Sequence, residues 1–159
     1  MVIIGVDPAL RKKGFAICIL DTESKIAEFQ IIESFVDFII YVENSQPDTV
    51  FAVENSNLQK VSFDMKGNKG VLARKSRNVG MNQAISQLAC DYIKTKGFEI
   101  IEISPRRKGE KWTHIQTLLF MNNHQHKFKN YKGLVTEQDK RDAYKLALIV
   151  MNEKKLKNI

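Results

Sequence analysis

The stretch VIIGVDPALRKKGFAI, residues 2–17, places an acid at the end of an apolar run. Residues 2–6 are apolar and largely β-branched, which predicts a strand that is covered on both faces. Asp7 follows directly, then Pro8 and three basic residues, and Gly14 leads into a second apolar run over residues 15–20. A carboxylate at the tip of a buried strand makes Asp7 the first candidate functional residue.

The apolar pattern predicts the remaining elements. Further strands are expected over residues 25–32, 49–53 and 98–103, and helices over 35–42, 81–93, 112–121 and 136–151. Three tightly connected strands indicate an antiparallel meander, and the later strand–helix–strand units indicate parallel crossovers. This element order is that of the ribonuclease H-like fold. We therefore expect an α/β domain over residues 1–159, with a mixed five-stranded sheet and helices on both faces.

Composition limits the class of partner. The 159 residues contain 25 Lys and Arg against 18 Asp and Glu, a formal net charge of +7. This excess favours a polyanion, either nucleic acid or an anionic membrane surface, although a merely soluble basic protein has the same signature. Cys18 and Cys90 form no paired motif and are expected to be reduced core residues. No apolar stretch has the length of a membrane span, so we expect a cytoplasmic protein.

The basic residues concentrate between residues 55 and 80, a segment that contains six Lys or Arg residues and one acidic residue, Asp64. We predict a mobile loop or ribbon there that contacts phosphates, the alternative being a solvated surface. A second basic segment follows the fifth strand. The candidate DNA-binding residues are Lys60, Phe63, Lys66, Lys69, Arg74, Lys75, Arg77, Arg106 and Arg107.

Four carboxylates occupy positions that this fold would bring together. Asp7 and Glu54 each end an apolar strand, and Asp139 and Asp142 share one face at the start of the last helix. Clustered carboxylates repel one another unless a cation neutralises them, and oxygen ligands suit Mg²⁺ or Mn²⁺. Two such ions about 3.5–4 Å apart can activate a water and stabilise the leaving oxygen in phosphodiester cleavage.

Each acid also has a purely structural interpretation. Asp139 and Asp142 are typical of the acidic first turn of a helix. The residues that follow Glu54 have turn chemistry, and Asp7 with Pro8 can begin a turn. His124 and His126, in a polar loop without nearby acids, are expected to be exposed and not to form a metal site. The candidate site therefore depends on the coincidence of all four acids.

The acidic motifs resemble those of the RuvC-type Holliday junction resolvases. IIGVDPALRKKGFAI is similar to the first motif of that family, and VFAVENS, residues 50–56, is similar to the second, a strand that ends in the catalytic Glu. DKRDAYKLAL, residues 139–148, resembles the closing motif. The three motifs occur in the family's order, and the intervening elements agree along the chain.

The resemblance implies a homodimeric, Mg²⁺-dependent endonuclease that nicks four-way DNA junctions in recombination and repair. Asp7, Glu54, Asp139 and Asp142 would then be the catalytic metal ligands for two Mg²⁺ or Mn²⁺ ions. A basic residue after the fifth strand would support the scissile phosphate; Lys108 and Lys111 both remain candidates.

The sequence departs from the family at the junction-stacking aromatic residue that follows the catalytic Glu. Asn57 stands at that position, and Phe63 is the nearest aromatic residue. Two alternatives remain open: another ribonuclease H-like nuclease, acting on RNA–DNA hybrid or structured RNA, and a non-catalytic nucleic-acid-binding module.

Overall fold

The computed structural model describes residues 1–9, 14–59 and 66–158. Lys60 and Phe63, two candidate DNA contacts, lie outside the described residues. The strands are β1 Val2–Asp7, β2 Phe15–Asp21, β3 Ile26–Ile32, β4 Val50–Glu54, β5 Glu99–Ile103 and β6 Lys127–Lys129. The helices are α1 Phe35–Glu43, α2 Lys69–Thr95, α3 Pro105–Lys108, α4 His114–His124 and α5 Gln138–Lys157. Within the described part of the chain, no helix has the length and apolar character needed to cross a bilayer.

The strands form one mixed sheet in the order β5-β4-β1-β2-β3-β6. The β1–β2 and β2–β3 pairs are antiparallel, and the other three pairs are parallel. The meander, the parallel crossovers and the central β1–β4 pair confirm the predicted α/β fold. The predicted count of five strands was one too low, because β6 is only three residues long and lies in a polar segment that shows no strand periodicity.

Helices cover both faces of the sheet. One face packs against α5, which buries Ala143, Leu146, Ala147 and Val150. The opposite face packs against α1 and the C-terminal half of α2. The amphipathic period of α5 and the alternation along the central strands produce this three-layer arrangement.

The basic segment corrects one prediction. Residues 69–80, predicted as part of a loop or ribbon, form the first turns of α2, and Asn68 accepts a hydrogen bond at Oδ1 from the backbone N of Val71 as the N-cap. The first buried residue of α2 is Ile85. The preceding turns therefore lack a buried apolar stripe, the signal by which sequence patterns reveal a helix.

Gly5 lets α5 lie directly on β1. A Cβ atom built on Gly5 would be 1.9 Å from the carbonyl oxygen of Ala143 and 3.1 Å from the backbone N of Ala147. Residues i and i+2 of a strand share a face, so Gly5 and Asp7 both face α5. The glycine in the GVD motif thus permits the helix that carries Asp139 and Asp142 to approach the strand that carries Asp7.

His126 is buried, contrary to the expectation that it is exposed. It is 9% exposed, and its Nδ1 atom lies 2.8 Å from the hydroxyl of Tyr144 on α5. Burial, with the nearby positive charges of His124, Lys155 and Lys25, lowers the pKa of His126 to about 4. The loop that carries His126 is therefore part of the core, which its polar sequence hides.

The low pKa of His126 predicts a pH-dependent loss of stability. The unfolded chain binds the proton more tightly than the folded chain, so stability falls as the pH decreases from about 6.5 towards 4. Between pH 7 and 5 the wild-type protein should lose about 2 kcal/mol more unfolding free energy than the His126→Gln variant. Urea unfolding at the two pH values measures this difference. The His124→Gln variant should keep most of the wild-type loss, because burial is the largest cause of the low pKa of His126. An equal loss in all three proteins would contradict the prediction.

Candidate active site

The strand register brings the first two acids to one point. β1 and β4 are parallel neighbours whose last paired residues are Val6 and Val53, so Asp7 and Glu54 follow side by side. Within each strand the residue two positions earlier packs on the α5 face, as Ala52 does in β4. Both carboxylates therefore face α5 at the centre of the sheet.

The start of α5 supplies two further carboxylates. Asp7, Asp139 and Asp142 each offer an oxygen atom, and these atoms all lie within 4.8 Å of one another. Asp142 is buried, whereas Asp7 and Asp139 are half-buried. The helix spacing of three and the close approach at Gly5 produce this cluster, which we call the acidic cluster.

Lys108 connects Glu54 to the acidic cluster. Its ammonium nitrogen lies 2.5 Å from Glu54 Oε2 and 3.3 Å from Asp142 Oδ2, and the residue is 9% exposed. Glu54 Oε2 is itself buried, and the Lys108 ammonium is the charged partner that it contacts. Ser104 and Pro105 start α3, which carries this lysine to the end of β4.

Burial and like charge act together on Asp7. Burial raises the pKa of Asp7 well above its usual range; the Lys108 ammonium opposes this effect, while Glu54, Asp142 and Asp139 add to it. Burial also disfavours the charged form of Lys108, but the surrounding carboxylates outweigh it and raise its pKa. The lysine is therefore cationic among acids that it does not fully neutralise.

The donor set fits a hard divalent cation. Mg²⁺ and Mn²⁺ take oxygen ligands, and the acidic cluster presents three carboxylates whose oxygen atoms lie within 4.8 Å of one another. Glu54 is a fourth carboxylate beside the acidic cluster, and its buried Oε2 atom contacts Lys108. The four carboxylates would hold the ion or ions, with Lys108 as the adjacent cation.

Two residues that sequence reasoning missed hold Asp142 in place. Gln138 Nε2 donates to Asp142 Oδ1 at 2.9 Å, and Gln138 Oε1 accepts from the Arg141 guanidinium at 3.2 Å. Arg141 is 4% exposed and also donates to the carbonyl oxygens of Trp112 and Leu134. The spacing of four between Gln138 and Asp142 was the available signal, because it puts both on one helix face.

The remaining candidate residues within the described part of the chain are exposed. Lys111 is exposed, beyond the end of α3. Arg106 is exposed, whereas the Arg107 guanidinium forms an ion pair with Glu153 of α5. Lys66 is exposed ahead of α2, and its carbonyl oxygen accepts a hydrogen bond from Lys75 Nζ at 2.9 Å. The other candidates are exposed on the N-terminal half of α2: Lys69, Arg74, Lys75 and Arg77.

Asn57, at the position where the family that the motifs resemble has a stacking aromatic residue, is exposed but hydrogen-bonded within the chain. Its side-chain nitrogen donates to Asn55 Oδ1 and to the carbonyl oxygen of Gln83, both at 2.8 Å. In this chain the position is therefore used for an internal contact between the end of β4 and α2.

The sheet order and the packing of α5 are those of a ribonuclease H-like α/β fold. Among solved structures, T. thermophilus RuvC in complex with a Holliday junction substrate matches this chain with a TM-score of 0.54. The match covers 93% of this chain and 91% of that chain, at 13% sequence identity. No protein-family model matches the sequence, and no curated protein does so either.

Proposed function

We propose that this protein is a metal-dependent endonuclease that resolves four-way DNA junctions as a homodimer, in recombination or repair. The observation that carries the proposal is the acidic cluster at the centre of a RuvC-like sheet, with Lys108 beside it. The net charge of +7 and the exposed cations of α2 favour a polyanionic substrate.

The proposed chemistry divides between the bound ions and the chain. When bound, Mg²⁺ or Mn²⁺ supplies Lewis-acid activation of water and charge stabilisation at the scissile phosphate. Asp7, Glu54, Asp139 and Asp142 would hold the ions, and Asp142 is itself buried. Lys108 places a positive charge where negative charge develops on the phosphate.

A substrate comparison tests the proposed function. Purified protein is incubated with labelled four-way junction, linear duplex and RNA–DNA hybrid, with Mg²⁺ and with EDTA. We expect paired nicks in the junction that require Mg²⁺. Equal cutting of the three substrates, or cutting in EDTA, would contradict the proposal. Preferred cutting of hybrid would favour the other ribonuclease H-like activity, and binding without cutting would favour the non-catalytic module.

The homodimer is a separate part of the proposal. Symmetric cutting of a four-way junction needs two active sites, and the chain carries one acidic cluster among its described residues. Light scattering at micromolar concentration should give twice the 18.3 kDa mass of the chain. A monomeric mass, with and without junction DNA, would contradict this part of the proposal.

Lys108 and Lys111 are distinguished by their surroundings. Replacement of Lys108 by Met removes a cation that contacts Glu54 and Asp142, so we expect the Mg²⁺-dependent cleavage rate to fall by about 10²-fold or more. The exposed Lys111 provides the matched control, because Lys111→Met should leave the rate within a few-fold of wild type. Single-turnover kinetics measures both. The reverse ranking would assign the catalytic role to Lys111.

The N-terminal half of α2 predicts a salt-dependent contribution to DNA binding. Replacing both Arg74 and Arg77 by Ala should weaken junction binding and reduce the slope of log K against log salt by about 1.8, at about 0.9 for each lost phosphate contact. Anisotropy titrations in EDTA over a series of salt concentrations measure this. The Lys155→Ala/Lys157→Ala variant removes the same charge elsewhere; an equal slope change there would show a non-specific effect.

A further inference from the structure

The residues that follow Glu54 form a hydrogen-bonded network. Asn55 is 2% exposed, and its Nδ2 atom donates to Glu102 Oε1 on β5 at 2.8 Å. Its Oδ1 atom accepts two hydrogen bonds from Asn57, at 3.0 Å from the backbone N and 2.8 Å from Nδ2. Asn57 Nδ2 donates its second hydrogen to the carbonyl oxygen of Gln83, also at 2.8 Å. We call Asn55 and Asn57 the amide brace.

The segment that contains the amide brace contacts α2 at successive points. Gln83 is the first, and the hydroxyls of Ser56 and Ser86 lie 3.1 Å apart at the next turn. Glu102, held by Asn55, also accepts from Lys94 Nζ at 3.0 Å. The strand end that carries Glu54 and the C-terminal half of α2 are therefore cross-linked by polar contacts as well as by core packing.

The amide brace contacts α2 between its basic N-terminal turns and its buried C-terminal half. The first buried residue of α2 is Ile85, and the exposed cations lie between Lys69 and Arg77. Asn57 attaches at Gln83, two residues before the first buried residue of α2. Because α2 is continuous through this point, the direction of the basic half follows from the core packing of the C-terminal half together with the contact at Gln83.

We propose that Asn55 and Asn57 are positioning residues that fix Glu54 relative to the basic half of α2. Phosphates held on α2 would then be aligned with the carboxylates at the end of β4. This inference rests on the proposed nuclease function. Neither asparagine belongs to the acidic cluster, so their effect on reaction is exerted through Glu54 and α2.

Two variants of the brace and one control test this role. Asn57→Ala removes the contact to Gln83, and Asn55→Asp keeps the side-chain shape but puts an oxygen against Glu102 Oε1. Asn82→Ala alters an exposed asparagine of α2 next to Gln83. Hydrogen–deuterium exchange of the DNA-free proteins measures the protection of residues 50–59 and 81–95. Titration with Mn²⁺ measures the metal affinity of the acidic cluster, and single-turnover kinetics measures the cleavage rate.

We expect faster exchange in both segments of each brace variant. We also expect about tenfold weaker Mn²⁺ binding, because the free energy of one or two lost hydrogen bonds corresponds to about this factor in affinity. The cleavage rate should fall by a similar factor while junction affinity in EDTA stays within about twofold. Asn82→Ala should match the wild type in every measurement. Unchanged exchange near Glu54 in both brace variants would overturn the inference, whether or not the wild-type protein cuts junctions. Absence of cutting by the wild type, with the exchange result as expected, would instead overturn the proposed function alone.

Discussion

Replacement of Asp7 by Asn should abolish cleavage while leaving DNA binding intact. Asp7 contributes an oxygen to the acidic cluster, and a neutral amide at this position weakens the hold on a divalent cation. Because such an ion contributes several kcal/mol to the stabilisation of the transition state, the rate should fall by about 10³-fold or more. Single-turnover cleavage of a four-way junction in Mg²⁺ measures this loss.

The same substitution should increase stability when no metal is bound. Burial and the neighbouring acids raise the pKa of Asp7 in the folded protein. Folding therefore disfavours the ionised form, and stability falls as the pH rises from the unfolded pKa through the raised folded one. At pH 7 in EDTA the amide introduced by Asp7→Asn carries no such cost, so this variant should have the higher thermal midpoint.

Mg²⁺ should reverse that order, because it stabilises the wild-type protein by binding the folded state and has less effect on the variant. Asp37→Asn, on the exposed face of α1, is the matched control and should change neither rate nor metal response. Undiminished cleavage by Asp7→Asn, or an equal Mg²⁺-induced shift in both proteins, would contradict the assignment of Asp7 as a metal ligand.

Replacement of Gly5 by Ala should destabilise the fold through a backbone clash. The added Cβ would lie 1.9 Å from the carbonyl oxygen of Ala143, and helix backbone cannot yield as a flexible side chain does. Relief requires α5 to move away from β1, so we expect a loss of about 3 kcal/mol or more of unfolding free energy. Urea unfolding at pH 7 measures it.

The displacement of α5 should also separate Asp142 from Asp7. Any folded fraction of Gly5→Ala should therefore bind Mn²⁺ more weakly than the wild type. Gly80→Ala is the matched control, because a Cβ there meets no atom of the described residues within 4 Å and alanine favours a helix by about 1 kcal/mol. Stability of Gly5→Ala equal to that of Gly80→Ala would contradict the close packing of α5 on β1.

Much of the site could be predicted because its acids sit in regular elements. Strand alternation and a central β1–β4 pair determine that Asp7 and Glu54 face the same side, and helix spacing aligns Asp139 with Asp142. These are local rules, and apolar periodicity indicates each element. The α/β class followed from the same signals.

The features that could not be predicted depend on contacts distant in sequence. Residues 69–84 of α2 contain no buried residue, and β6 has too few residues for a pattern. His126 is buried beside Tyr144 of α5, which is distant in sequence. The ion pair between Lys108 and Glu54 likewise joins residues from α3 and β4. Sequence spacing made Lys108 and Lys111 equal candidates for the basic residue of the site, whereas the structure shows Lys108 buried and Lys111 exposed.

Anomalous diffraction from crystals soaked in Mn²⁺ tests the metal site most directly. We expect a peak at the Mn absorption edge within about 2 Å of carboxylate oxygens of Asp7, Asp139 and Asp142. The peak should be absent from crystals of Asp7→Asn grown in the same way. A wild-type crystal that binds Mn²⁺ elsewhere, with Lys108 still paired to Glu54 and no peak among the three acids, would contradict a metal-dependent nuclease site.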